Sequence, residues 1–246
     1  MARGLNFFKE WFKGYEQNYV VIGGTACELL MGSAGLDFRA TKDIDMVLIV
    51  ESLSKEFCGR FWEYIKAGGY EIEEKSGGEP CFYRFQKPKL EKYPVMIELF
   101  ARKPDCLTVP KDVHLVPLHV DDELSSLSAI LLDEEYYGIL QNGTIQIDGI
   151  SVIDTQHIIL FKIKAWKDLL NSGAEKGKYT KHKNDVFRLA QLLIDGSPLV
   201  VSQNIMKELD AFIVAMQKED INLKGIGVSG KKDDLLQLLK RNFVTE

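Results

Sequence analysis

Asp43 and Asp45 flank Ile44 at the head of an apolar run, DIDMVLIV, and are the first residues of this chain placed to do chemistry. If that run is a strand, residues two apart point to one face, so both carboxylates stand on the same side. Like charges held that close are costly unless a proton or a cation sits between them. A divalent ion answers the need: Mg²⁺, with Mn²⁺ as a substitute, takes carboxylate oxygens and completes its shell with water and phosphate oxygens. Upstream, Gly23-Gly24-Thr25 closes another apolar run, YVVI. Glycines there let the backbone approach a ligand, the first amides of a following helix face an anion, and Thr25 adds a hydroxyl. Glu98 interrupts a third apolar run, PVMIELF, and an acid between Ile97 and Leu99 needs a partner if it points inward. If its strand neighbours that of Asp43 and Asp45, the three carboxylates form a cluster able to hold two Mg²⁺ ions for phosphoryl transfer. Each signal also has a plainer reading: solvated acids at a strand edge, Thr25 as a helix cap, and Glu98 turned to water by alternation.

These side chains need a scaffold of strands and helices. Leu5, Phe8, Trp11, Phe12 and Tyr15 recur at helical spacing and describe an amphipathic first helix. Strands are expected over Tyr19 to Ile22, Ile44 to Val50, Tyr70 to Glu74, Cys81 to Gln86 and Val95 to Phe100. Helices are expected over Thr25 to Met31 and Leu53 to Ala67, the latter stopped by Gly68-Gly69. The middle yields strand candidates at Val113 to Val116, Ala129 to Leu132 and Thr144 to Ile147, and a helix around Glu134 to Gln141. From Asp154 onward the periodicity is helical: Asp154 to Leu170, Lys183 to Ile194, Asn204 to Met216 and Asp233 to Phe243, with Asp154 and Asp233 as N-caps. The polar run Asn171 to Thr180 reads as a flexible connection, and Gly225 to Gly230 as a turn. The expected architecture is an α/β (α+β) domain over residues 1–152, a mixed sheet with flanking helices, followed by a helical C-terminal domain over 153–246.

Apolar residues make up 46% of the 246 and charged residues 27%, so the chain has the composition and length of a folded globular protein. A net charge of -5 excludes bulk nucleic-acid binding through a uniformly basic surface. It leaves room for a local patch, and Lys162, Lys164, Lys167, Lys176, Lys178, Lys181, His182 and Lys183 supply one, opposed only by Asp168 and Glu175. Such a run is either a solvated face or a wall for a triphosphate and a tRNA end, with Lys162 and Lys183 as the phosphate contacts. Lys162 and Trp166, four apart, share a helix face. The four cysteines form no Cys-x-x-Cys pair and read as reduced thiols, and the four histidines form no zinc-like cluster. No signal peptide and no membrane-spanning stretch is visible, so a cytoplasmic protein is expected.

Taken together, Gly23-Gly24-Thr25, then Arg39-x-Thr41-x-Asp43-x-Asp45, then Glu98 resemble the nucleotidyltransferase superfamily with the polymerase-beta-like core, in particular its AbiEii-type branch. FKIKAWKDLL and KHKNDVFRLAQLL look like that branch's Lys-containing and basic-Asp helices. The resemblance implies a nucleotidyltransferase-like mixed sheet, Mg²⁺ as cofactor, NTP as donor, and transfer of a nucleoside monophosphate to an acceptor hydroxyl of tRNA, protein or a small molecule. It implies that Asp43 and Asp45 bind metal and that Glu98 joins as ligand or general base. Gly23, Gly24, Thr25 and Arg39 fall in the phosphate-gripping motif, with Lys162 as a charge clamp and Asp185 positioning the triphosphate or acceptor. Asn184 and Arg188 depart from the branch's pattern, which makes Lys183 the candidate for the missing charge. The branch includes toxins of toxin–antitoxin and phage-defence systems, which would add an antitoxin protein as partner. Two other readings stand beside this one: a nucleotide-binding or interaction protein without turnover, and an Asp-x-Asp glycosyltransferase, where the motif normally follows a longer nucleotide-binding half.

Overall fold

The structure, a computed structural model, describes residues 2–74, 81–102, 116–117 and 122–245. In chain order the elements are α1 (Leu5–Trp11), β1 (Tyr19–Ile22), α2 (Gly23–Ser33), β2 (Asp43–Leu48), α3 (Lys55–Gly68), β3 (Glu71–Glu74), β4 (Cys81–Gln86), β5 (Met96–Ala101) and β6 (Val116–Pro117). Then come α4 (Asp122–Leu132), α5 (Glu134–Asn142), β7 (Thr144–Ile147), β8 (Ile150–Ile153), α6 (Thr155–Asn171), α7 (Lys176–Ala190), β9 (Leu199–Val201), α8 (Gln203–Lys218), α9 (Lys232–Arg241) and β10 (Phe243–Thr245). The expected mixed α/β sheet with flanking helices is present. Among the described residues it has eight strands in the order β6-β3-β4-β5-β2-β1-β8-β7. Three pairs are parallel (β2–β5, β1–β8, β3–β6) and four antiparallel (β1–β2, β3–β4, β4–β5, β7–β8).

The chain forms two compact units. The first comprises Met1–Leu29, Arg39–Asp121 and Leu140–Ile153, and the second Leu30–Phe38, Asp122–Ile139 and Asp154–Glu246. The first unit contains the large sheet, one face of which is covered by aromatic side chains. Phe8 meets Tyr19 edge-on at 5.5 Å, and Phe61 and Trp62 of α3 meet Phe85 of β4 at 5.4 and 6.0 Å. Phe8, Phe12, Phe57, Phe61, Tyr64 and Phe85 are all fully buried, and burial of this much aromatic surface anchors α1 and α3 to the sheet. α3 starts at Ser54, whose hydroxyl accepts the Phe57 N–H at 3.1 Å, and stops at Gly69 in the left-handed region (φ 65°). β7 and β8 form a hairpin through Asp148-Gly149, both at positive φ (49° and 75°), the geometry that an Asp-Gly two-residue turn supplies.

The second unit is built on α6. Asp154 caps it by accepting the His157 N–H at 3.0 Å, and its buried face, including Ile158, Ile159, Ile163, Trp166 and Leu169, packs against α4, α7 and α8. β9 and β10 make a separate parallel pair.

Several sequence expectations need correction. Ala129 to Leu132 ends helix α4 and is not a strand; four consecutive apolar residues do not distinguish the two states. Lys176 to Thr180 belongs to α7, a helix that packs on α6, so the expected flexible connection ends at Glu175. Asp233 sits in the first turn of α9 and the N-cap is Lys231. α2 begins at Gly23, directly from β1. Strands β8, β9 and β10 were not expected. Residues 113–115 of the strand candidate Val113 to Val116, with His114, His119 and Cys106, lie outside the described residues.

Candidate active site

Burial alternates along both acid-bearing strands. Ile44 and Met46 on β2 and Ile97 and Leu99 on β5 are buried, whereas Asp43, Asp45 and Glu98 between them are partly exposed. β2 and β5 are parallel neighbours with Asp45 directly opposite Glu98, so the adjacency that a carboxylate cluster requires is present. Register continues the row: Arg84 of β4 faces Glu98, and Ile22 of β1 faces Asp45. By alternation this row lies on the sheet face opposite Tyr83, Phe85 and the aromatic packing of α3.

The glycine turn presses against the row. Gly23 has φ 67°, and a Cβ placed on it would lie 1.8 Å from Asp45 Oδ2. Only a residue without a side chain allows that approach. A Cβ on Gly24 would lie 2.8 Å from Thr41 Cγ2 and 3.6 Å from Arg39 Nη2, which brings Arg39 beside the same turn. Thr25 is fully buried, and its hydroxyl donates to the Asp43 carbonyl at 2.5 Å. In this structure it therefore fixes the start of β2. Thr41 in turn donates to Glu28 Oε2 at 2.6 Å, a contact that ties the loop before Asp43 to α2.

Glu98 is held by Arg84, with Nη2 at 2.7 Å and Nε at 2.8 Å from Oε1. Burial, and after it the charge of Asp45, pushes the Glu98 carboxyl up to about 8, while Arg84 opposes the rise. Such a carboxyl keeps its proton at neutral pH, and a cation held beside it on Asp45 would lower it towards the range of a general base. Among the described residues no three His, Cys, Asp or Glu side chains are gathered into a ready ion cage. The donor set of Asp43 and Asp45, hard oxygens on one strand face with the Gly23 backbone beside them, nevertheless fits a divalent cation.

Lys162 and Asp185 come together in the second unit. Asp185 is fully buried and bonded by Lys162 Nζ at 3.1 Å and by Arg188 Nη1 at 2.9 Å. Arg188 is thus the second cation on Asp185, whereas Lys183 is ion-paired with Glu219. Lys164 also holds Asp168, at 2.9 Å, and Lys167 holds Glu208, at 3.2 Å, so four lysines of the basic segment each meet a carboxylate. Trp166, expected beside Lys162, packs edge-on against Phe212 at 5.1 Å.

Sequence reasoning missed Arg84. Its only local signal is the alternation of CFYRFQ, which sets Arg84 on the face opposite Tyr83 and Phe85.

No family model matches the chain, and no curated protein matches it. Solved structures similar to it include an antigenic nucleotidyltransferase-like protein from Paracoccidioides brasiliensis, at 17% identity over 94% of this chain and 95% of that one, with a TM-score of 0.47. The antibiotic-resistance factor ANT(2'')-Ia follows at 11% identity, covering 87% and 90%, with a TM-score of 0.41. The Megavirus polyadenylate synthase is 16% identical over 87% of this chain and 37% of that one, also with a TM-score of 0.41. Identity and TM-score are low in all three, so these likenesses decide nothing about the chemistry. Among the described residues, no helix is long and apolar enough to cross a membrane.

Proposed function

We propose that the row of acids is the reaction centre of a Mg²⁺-dependent nucleotidyltransferase, which moves an NMP from an NTP to an acceptor hydroxyl. The observation that carries this reading is Asp45, placed opposite Glu98 and against the Gly23 backbone, with Asp43 on the same strand face. Asp43 and Asp45 would hold the ion, and Mg²⁺, when bound, supplies charge neutralisation for the triphosphate. The acceptor oxygen forms a bond to the α-phosphorus as the bond to the β-phosphate oxygen breaks and pyrophosphate leaves. The hydroxyl proton would pass to Glu98 once a cation on Asp45 has lowered that carboxyl and ionised it. The Gly23-Gly24 backbone offers the approach that phosphate oxygens need, and Arg39 adds a cation beside it. The proposal also carries the triphosphate roles that the resemblance implies for Lys162, Lys183 and Asp185. tRNA, a protein hydroxyl and a small molecule are the acceptor classes, and a toxin role with an antitoxin partner belongs to the same proposal.

The test is incubation with Mg²⁺, each α-labelled NTP and total tRNA, with native protein beside Asp45→Asn. Transfer of label by the native chain, reduced by the variant at least about 100-fold, is the expected result. NTP binding without transfer to tRNA, protein or small acceptors would instead favour a binding protein without turnover.

A further inference from the structure

Arg84 is the cation of the row, and neither Asp-x-Asp nor the glycine turn accounts for it. The register of the sheet sets its pairing: Arg84 stands opposite Glu98, and Glu98 opposite Asp45. Two guanidinium nitrogens, Nε and Nη2, reach the same oxygen of Glu98. The two side chains are only 20% and 15% exposed, so removing either partner strands a poorly hydrated charge. On the other side of Arg84, Glu73 of β3 is opposite it in register, and its Oε1 accepts a hydrogen bond from Gln86 Nε2 at 2.7 Å.

A two-ion site uses a third carboxylate to help hold the second ion. Here a guanidinium, a cation that keeps its charge at every accessible pH, already sits on that carboxylate. Asp43, Asp45 and Glu98 bring three negative charges when ionised and Arg84 one positive, and the difference is what one divalent ion neutralises. A second ion would give the site a net positive charge before any nucleotide arrived, and would have to displace Arg84 from a partly buried pair. We propose that Arg84 stands in for the second cation, so that the site takes a single divalent ion on Asp43 and Asp45 while Glu98 stays on Arg84. The inference rests on the nucleotidyltransferase reading of the acid row, yet its test requires no turnover.

Mn²⁺ binding followed by electron paramagnetic resonance gives the number of ions per chain for the native protein, Arg84→Met and Glu98→Gln, each checked for folding by circular dichroism. Native protein and Glu98→Gln are expected to bind one ion, and Arg84→Met to gain a second. Two ions on the native chain, none on it, loss of an ion in Glu98→Gln, or no gain in a folded Arg84→Met would each overturn the proposal. Should Arg84→Met fail to fold, the native and Glu98→Gln counts decide, because a second ion held by Glu98 would disappear with it. Failure of the nucleotidyltransferase reading shows separately, as an absence of label transfer by the native chain whatever its ion count.

Discussion

Burial of most of its surface, and after it the charge of Asp45 opposite, pushes the Glu98 carboxyl up to about 8 from an ordinary 4.5, against the opposing pull of Arg84 on Oε1. Between those two values the folded chain keeps a proton that the unfolded chain releases, so stability falls as pH rises through that window and levels off above it. A series of melting temperatures from about pH 5 to about pH 8.5 without divalent ions should show this decline, and Glu98→Gln should flatten it. An equal slope in the variant would assign the decline to other groups. Gly23 makes a second, steric prediction. Ala there meets both an unfavourable positive φ and the Asp45 carboxylate, so Gly23→Ala should lower the melting temperature by about 2–4 °C or more and weaken Mn²⁺ binding at least about 10-fold. Gly14 supplies the control: it also has positive φ, at 89°, but a Cβ would meet nothing within 4 Å. Gly14→Ala should therefore carry the backbone strain and leave ion binding as it was.

At the scale of elements, the helix caps separate a working side chain from a mere sequence match. Asp154 accepts both the His157 N–H and, at 2.7 Å, its Nδ1, so Asp154→Ala should cost about 1 kcal/mol in chemical denaturation. Asp233 lies within the first turn of α9 and makes no cap, and Asp233→Ala should cost only a few tenths of that. Both looked alike in the sequence, because a cap depends on where the helix begins and that boundary is set by packing. The same limit explains the other differences. β1, β2, β4 and β5 were legible because glycines or alternation bound them, as were the acids and the turn, whose spacing is local. β8, ISVI, is buried at all four positions and offers no alternation, although Asp148-Gly149 before it was a readable hairpin signal. β9 and β10 are three residues each, too short for any periodicity to show. The Arg84–Glu98 pair depends on the register between β4 and β5, which no local stretch of sequence encodes.

For the whole molecule, the two compact units are interleaved along the chain, with crossings after residues 29, 38, 121, 139 and 153. A cut at 152/153 would leave a C-terminal fragment without Leu30–Phe38 and Asp122–Ile139, which belong to its own unit, including α4, which packs on α6. Residues 153–246 expressed alone should therefore melt with low cooperativity and bind a hydrophobic dye. A sharp two-state transition would show that they fold unaided. The sheet imposes an order of events on synthesis as well. β1 is bordered by β2 on one side and β8 on the other, with Val21 opposite Met46 and Val152. On the ribosome β2 emerges soon after β1, but β8 follows only when well over half of the 246 residues have been made. Through that interval the nascent chain carries a bare strand edge next to its own Asp-x-Asp strand, available to chaperones or to a neighbouring copy on the same message.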